Sequence, residues 1–137
     1  MIKLNKDSEN RFVVVTASEN VTLTGNTYFL FEVISDDTKQ SKFFTGEDIS
    51  LNTCRYNQFN IIVTGDTFEN LTASTINLDL NGYYKYNIYQ QDSPTNLSLS
   101  GTSGIVETGI LYLSGETKPN ITTYTGNSDN NTFITYQ

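Results

Sequence analysis

Asn77-Leu-Asp-Leu-Asn-Gly-Tyr-Tyr-Lys-Tyr-Asn-Ile-Tyr-Gln-Gln91 decides how this chain is read. Asn81-Gly82 joins two residue types that tolerate positive φ, which a type I′ hairpin turn requires at both central positions. The turn predicts a hairpin between Leu71–Leu80, where Ile76, Leu78 and Leu80 alternate with polar residues, and Tyr83–Gln91. Side chains of a strand point alternately to two faces. Tyr84, Tyr86 and Ile88 therefore share one face, and Tyr83, Lys85, Asn87 and Tyr89 the other. Lysine and asparagine mark the second face as the wetter one, so the first is expected to face a core.

The same period-2 signal recurs on either side. Residues 11–16 (RFVVVT) and 19–24 (ENVTLT) read as strands, the first as a β-branched run and the second by its Val21/Leu23 alternation. Gly25-Asn26 supplies a turn. Tyr28–Ser35 (YFLFEVIS) is the most apolar segment and reads as a central strand. The acidic turn Asp36-Asp37-Thr38 returns it to an antiparallel partner, Lys39–Thr45. Ile49–Asn52 reads as an irregular turn, and Tyr56–Thr64 as a strand that puts Phe59, Ile61 and Val63 on one face. Ile2–Leu4 is either a short edge strand or an arm. After the tyrosine strand, Asp92–Gly104 reads as a loop and Ile105–Leu113 as the last strand. Gly109 inside that strand implies a bulge or a close backbone approach.

Strands about ten residues apart with turn signals between them, and no helical periodicity, predict an all-β fold. The expectation is one antiparallel β-sandwich domain, Ig-like or jelly-roll-like, over residues 1–115. At 137 residues the chain can fill one two-sheet core. Residues 116–137 are Asn/Thr-rich but hold Tyr124, Phe133, Ile134 and Tyr136. They form either an extra strand or hairpin, or an arm that orders against a partner.

Composition narrows the chemistry. The chain has no histidine and one cysteine, Cys54. Ser-His-Asp and Cys-His nucleophiles and most zinc sites are thereby excluded in their usual forms. Cys54 has no intramolecular disulfide partner and is expected to be half-buried at the start of a strand. The acidic pairs Asp36-Asp37 and Glu47-Asp48 fit solvated turns. The oxygen-rich Asn127–Asn131 stretch lacks EF-hand spacing. Glycosidases can work with two carboxylates and nothing else, so that enzyme class alone stays open, and no pair stands out for the role. Neither a catalytic group, a metal site nor a cofactor is expected. The formal charge of −7 with scattered lysines argues against a nucleic-acid partner. No apolar run approaches the roughly 20 residues of a membrane helix. Residues 1–10 lack the apolar core of a signal peptide, so synthesis in a cytoplasm is expected. Tyr83 and Tyr89, on the wetter face, are candidates for a carbohydrate platform or for cross-strand packing.

Several segments, in order, carry a resemblance: MIKLNKDSENRFVVVTASENVTL, YFLFEVIS with KFFTGEDIS, CRYNQFNIIV, NGYYKYNIYQQDSPTNL and IVETGILYL. The most distinctive are Gly82–Gln90 and the V-E-x-G-x-L of Val106–Leu111. Together they resemble a family of small β-sandwich structural proteins in the virions of tailed bacteriophages, including crAss-like phages, and most of all auxiliary (decoration) capsid proteins. The likeness spans about residues 1–113. It implies a non-enzymatic virion protein, made in the bacterial host cytoplasm, whose partners are major capsid protein and other virion proteins. A tail, collar or fibre component, or a carbohydrate-binding attachment module, is the alternative. Binding is then expected through edge strands, through β-augmentation at Ile2 and Leu4, or through tail aromatics such as Tyr124, Phe133 and Tyr136.

Overall fold

The computed structural model describes residues 1–115 apart from residues 53, 66 and 67, and describes the backbone alone at positions 11 and 12. Among the described residues the strands are β1 (Ile2–Asn5), β2 (Ser8–Val15), β3 (Tyr28–Ser35), β4 (Ser41–Gly46), β5 (Asn57–Thr64), β6 (Thr75–Asn77), β7 (Gly82–Gln91) and β8 (Thr102–Ser114). Short 3₁₀ turns occupy Ala17–Asn20 and Leu99–Gly101. A five-stranded sheet runs in the order β1-β8-β7-β3-β4 and faces a three-stranded sheet in the order β2-β5-β6. The sandwich reading holds, with two parallel pairings added: β1 beside β8, and β5 beside β6.

Alternation builds the core. Phe59, Ile61 and Val63 of β5 enter it from one sheet, and Tyr84, Tyr86 and Ile88 of β7 from the other, all buried. Between them Phe31 stacks on Phe44, with centroids 5.0 Å apart and planes 12° off parallel. The edge of Phe59 meets Phe31 at 4.9 Å and 82°. Such ring pairs add about 0.5–1.5 kcal/mol each to what their buried area contributes. In β3 the positions opposite this core are also filled: Leu30 and Glu32 are buried on the other face. That is why the segment reads as continuously apolar. β3 lies inside the sheet, between β4 and β7.

The expected hairpin at Asn81-Gly82 does not form. β7 pairs with β3 and β8, while β6 ends at Asn77 and runs parallel to β5 in the opposite sheet. Gly82 has φ 129°, whereas Asn81 does not take the positive φ that a type I′ turn needs. Residues 78–81 instead cross between the sheets, and side chains satisfy their backbone. Tyr84 Oη donates to the carbonyl of Leu80, and Lys6 Nζ donates to that of Asp79 at 2.8 Å. Leu78 is buried and Leu80 exposed, so the apparent alternation reflects a single anchor. Leu71–Leu80 accordingly contributes only β6.

Glu19–Thr24 is likewise not a strand. Gln90 Oε1 accepts from Thr22 N at 2.8 Å and Leu23 N at 3.2 Å, so a buried side chain stands where a ladder would be. Asn57 Oδ1 accepts from Ser18 N at 2.8 Å and steadies the preceding 3₁₀ turn. The expected hairpin of β3 and β4 forms, with Phe31 opposite Phe44. Gly109 is a close approach: a Cβ there would lie 2.7 Å from Tyr86 Oη. The β7–β8 register shifts fall farther along, between Ile88 and Tyr89 and between Tyr89 and Gln91 on β7.

Candidate functional site

β1 resolves the first candidate pair. Ile2 and Leu4 are core side chains, 5% and 1% exposed. The segment is an edge strand in parallel register with β8, not a free arm. Asn5 N donates to Asn10 Oδ1 at 2.8 Å, and Asn5 O accepts from Asn10 Nδ2 at 3.1 Å and Ser8 Oγ at 2.8 Å. One asparagine side chain thus occupies the outward backbone groups of Asn5, at the end of this edge. The side chains of Ile2 and Leu4 thus belong to the core, and a partner at this edge would meet the backbone of β1 rather than them.

Tyr83 and Tyr89 share a face but not a site. They lie six residues apart on β7, roughly 20 Å at strand rise. Tyr83 is 58% exposed and meets Tyr112 of β8, with centroids 4.9 Å apart and planes at 50°. Tyr89 is half-buried and donates its hydroxyl to Glu32 Oε2 at 2.8 Å. Asn87 Nδ2 donates to the same oxygen at 2.9 Å. Burial pushes the Glu32 carboxyl up, but hydrogen bonds from Asn87, Tyr89 and Ser41 outweigh it and hold the group below the usual carboxylate range. Burial and the adjacent carboxylate raise the Tyr89 phenol. Tyr124, Phe133 and Tyr136, and the Asn127–Asn131 stretch, lie outside the described residues.

The register lays out an exposed surface that the linear reading missed. On the face turned away from the core, one row runs Lys3–Tyr112–Tyr83 across β1, β8 and β7. The next runs Ile110–Lys85–Ile34 across β8, β7 and β3. Ile110 is 51% exposed, and Lys3 and Lys85 are exposed. Alternation within Ile105–Leu113 was the available signal, since Leu111 and Leu113 in the core turn Ile110 and Tyr112 outward. Seeing the cluster also needed β8 placed beside β7.

Other polar groups are committed to the frame. Asp48 is no solvated turn former. It accepts from Asn57 Nδ2 at 2.6 Å, Ser50 N at 2.9 Å and Gln58 N at 3.1 Å. Burial raises its carboxyl, and these bonds more than offset that, leaving it low. Asp36 and Asp37 are exposed in the β3–β4 turn as expected, with Lys39 3.9 Å from Asp36. Cys54 is exposed rather than half-buried, because it lies in a turn ahead of β5.

Clefts open beside the sandwich among the described residues. One, of about 120 Å³, has Val33, Leu78 and Tyr84 as its apolar wall and Lys42 at its rim. Lys42 Nζ is spent on Glu69 Oε1 at 2.9 Å and the Asn77 carbonyl at 2.7 Å, tying β4 to β6. Despite some burial, Glu69 is lowered by Lys42 and the Asn77 N–H. The second, of about 440 Å³, lies between Tyr28, Gly46, Asp48, Thr72 and Pro94. Among the described residues no three His, Cys, Asp or Glu side chains converge as metal ligands. Set against protein-family models, curated proteins and solved structures, the chain matches none.

Proposed function

We propose that the chain is a non-enzymatic structural protein of a tailed-phage virion, binding the shell of major capsid protein to decorate or stabilise the head. The observation that carries this reading is the ordered resemblance through residues 1–113. Its segments overlap every strand of the sandwich among the described residues except β6. The disposition of the polar groups supports it. Glu32, Asp48, Glu69 and Glu107 are each engaged by hydrogen bonds from neighbouring side chains or backbone, as suits a scaffold. A net charge of −7 favours solubility at the high concentrations that shell assembly demands.

The test is the amount of this protein relative to major capsid protein in purified virions, by quantitative mass spectrometry. A copy number comparable with that of the shell protein is the expected result. A few copies per particle would move the chain to the tail, collar or fibres. Its absence from the particle would overturn the reading.

A further inference from the structure

We propose that residues 116–124 fold back over the end of their own sandwich and seat Ile121 and Tyr124 in and over the cleft walled by Val33, Leu78 and Tyr84. The inference concerns a contact within one chain and stands whether or not the protein belongs to a virion.

The chain leaves the described residues beside this cleft. Gly115 follows β8, and its carbonyl accepts from Asn81 Nδ2 at 2.9 Å. A Cβ on Gly115 would lie 2.6 Å from Lys6 Cβ, and Lys6 Nζ donates to the Asp79 carbonyl at 2.8 Å. Gly115 is thus fastened to the crossover of residues 78–81, and Leu78, Asp79 and Leu80 of that crossover line the cleft. Ile121 lies six residues beyond Gly115, a span of roughly 20 Å when extended. The intervening ETKPN is polar and holds Pro119, as suits a connection.

The cleft selects the kind of side chain that fills it. Val33, Leu78 and Tyr84 are core residues, and Leu80 beside them is exposed. A cavity of roughly 150 Å³ admits a benzene ring. At about 120 Å³ this cleft takes one aliphatic or aromatic side chain. Charge does not choose the occupant, since Lys42 at the rim is spent on Glu69 and the Asn77 carbonyl.

Reach chooses it instead. Ile121 and Tyr124 are the first large apolar residues after Gly115. Phe133 and Tyr136 would close a loop about two to three times as long, at a greater entropic cost. The same segment of a second copy would arrive from dilute solution, whereas a short tether supplies an effective concentration on the order of millimolar.

Disulfide trapping in the full chain, with Cys54→Ser as background and oxidised glutathione as oxidant, provides the test. Leu80→Cys, on the rim, is paired with Thr123→Cys. The comparison pairs Thr123→Cys with Val14→Cys, an exposed position on β2 near the opposite end of the sandwich. The Leu80 pair is expected to close within one chain at least about tenfold faster than the Val14 pair, at a rate independent of protein concentration. Ile121→Ser together with Tyr124→Ser should remove that advantage, and Phe133→Ser should leave it intact. Should Leu80→Cys unfold the protein, Thr38→Cys, exposed on the β3–β4 side of the cleft, takes its place. Equal rates for the two pairs, or closure indifferent to the Ile121 and Tyr124 substitutions, would overturn the proposal. A disulfide that forms only between chains would do the same, by seating the segment on a second copy.

Discussion

Gly109→Ala should be among the most damaging single-methyl changes in this protein. Gly109 lies directly across from Tyr86 in the β7–β8 ladder. A Cβ built there would stand 2.7 Å from Tyr86 Oη and 2.8 Å from both Cε1 and Cζ. Ordinary contact needs about 3.5–4.0 Å, so the ring must move by roughly 1 Å. Tyr86 is 5% exposed and has little room to move. Its hydroxyl also donates to Glu107 Oε1 at 3.0 Å, while Glu107 Oε2 holds Thr16 N at 2.9 Å. Moving the ring forfeits the bond to the carboxylate. Overpacking costs about 1–3 kcal/mol, and losing a hydrogen bond to a charged group about 1.5–3 kcal/mol. The two overlap, so a total of roughly 3–4 kcal/mol is expected, a large part of the stability of a typical domain. Gly109 does not take positive φ, so alanine itself meets no backbone obstacle. Urea melts followed by circular dichroism, for Gly109→Ala alone and in a Tyr86→Leu background, separate the causes. With the ring removed, the alanine should cost about 1 kcal/mol or less, and the cycle should show strong coupling. A cost below about 0.5 kcal/mol in the wild-type background, or the same cost in both, would refute the packing account.

Acid should destabilise the fold through Glu32, Asp48 and Glu69, whose carboxyls sit below their ordinary values. Their contribution is complete above the unfolded pKa of about 4 and is lost as pH falls through the lower folded values. Urea midpoints measured down a pH series should fall there, and Glu32→Gln should flatten that limb. At the other extreme, burial and Glu107 raise the Tyr86 phenol. Stability should therefore decline as pH rises past about 10, the ordinary tyrosine value, and Tyr86→Phe should blunt the decline. Tyr83→Ala, at an exposed position, should shift stability by less than about 1 kcal/mol in the same melts. Cys54 is exposed, so a thiol reagent should titrate it fully in the native protein without denaturant. A slow reaction limited by unfolding would contradict that placement.

Strands that alternate cleanly were legible in the sequence. The core faces of β5 and β7 follow from counting by two, and the β3–β4 hairpin from an acidic turn between apolar runs. What failed were segments whose backbone is satisfied by distant side chains. Nothing local in Glu19–Thr24 reveals that Gln90 will take its N–H groups. Nothing in Leu78–Asn81 reveals that Lys6 and Tyr84 will take its carbonyls. The pattern Ile76, Leu78, Leu80 looks like a strand because a single buried residue, Leu78, extends the alternation of β6. The outer-face cluster was hidden for another reason. Each of its residues is unremarkable within its own strand, and only pairing across β1, β8 and β7 brings them together. The edge-strand reading of Ile2–Leu4 was available, but a short polar-flanked segment gives no sign that its ladder partner, β8, comes last among the strands.

That last pairing carries a consequence for how the molecule is made. Ile2 is in register with Leu111, and Leu4 with Leu113. At roughly 5–20 residues per second of synthesis, β1 must wait on the order of 5–20 s before β8 exists to receive it. Until then the side chains of Ile2 and Leu4 have no finished core to enter, and the five-stranded sheet lacks the two strands on one side of β7. Closure of the sandwich is therefore among the last events of folding, a long-range pairing of the kind that slows β proteins. A nascent chain stalled before residue 105 should remain protease-sensitive at β1 however well the β3–β4 hairpin has formed.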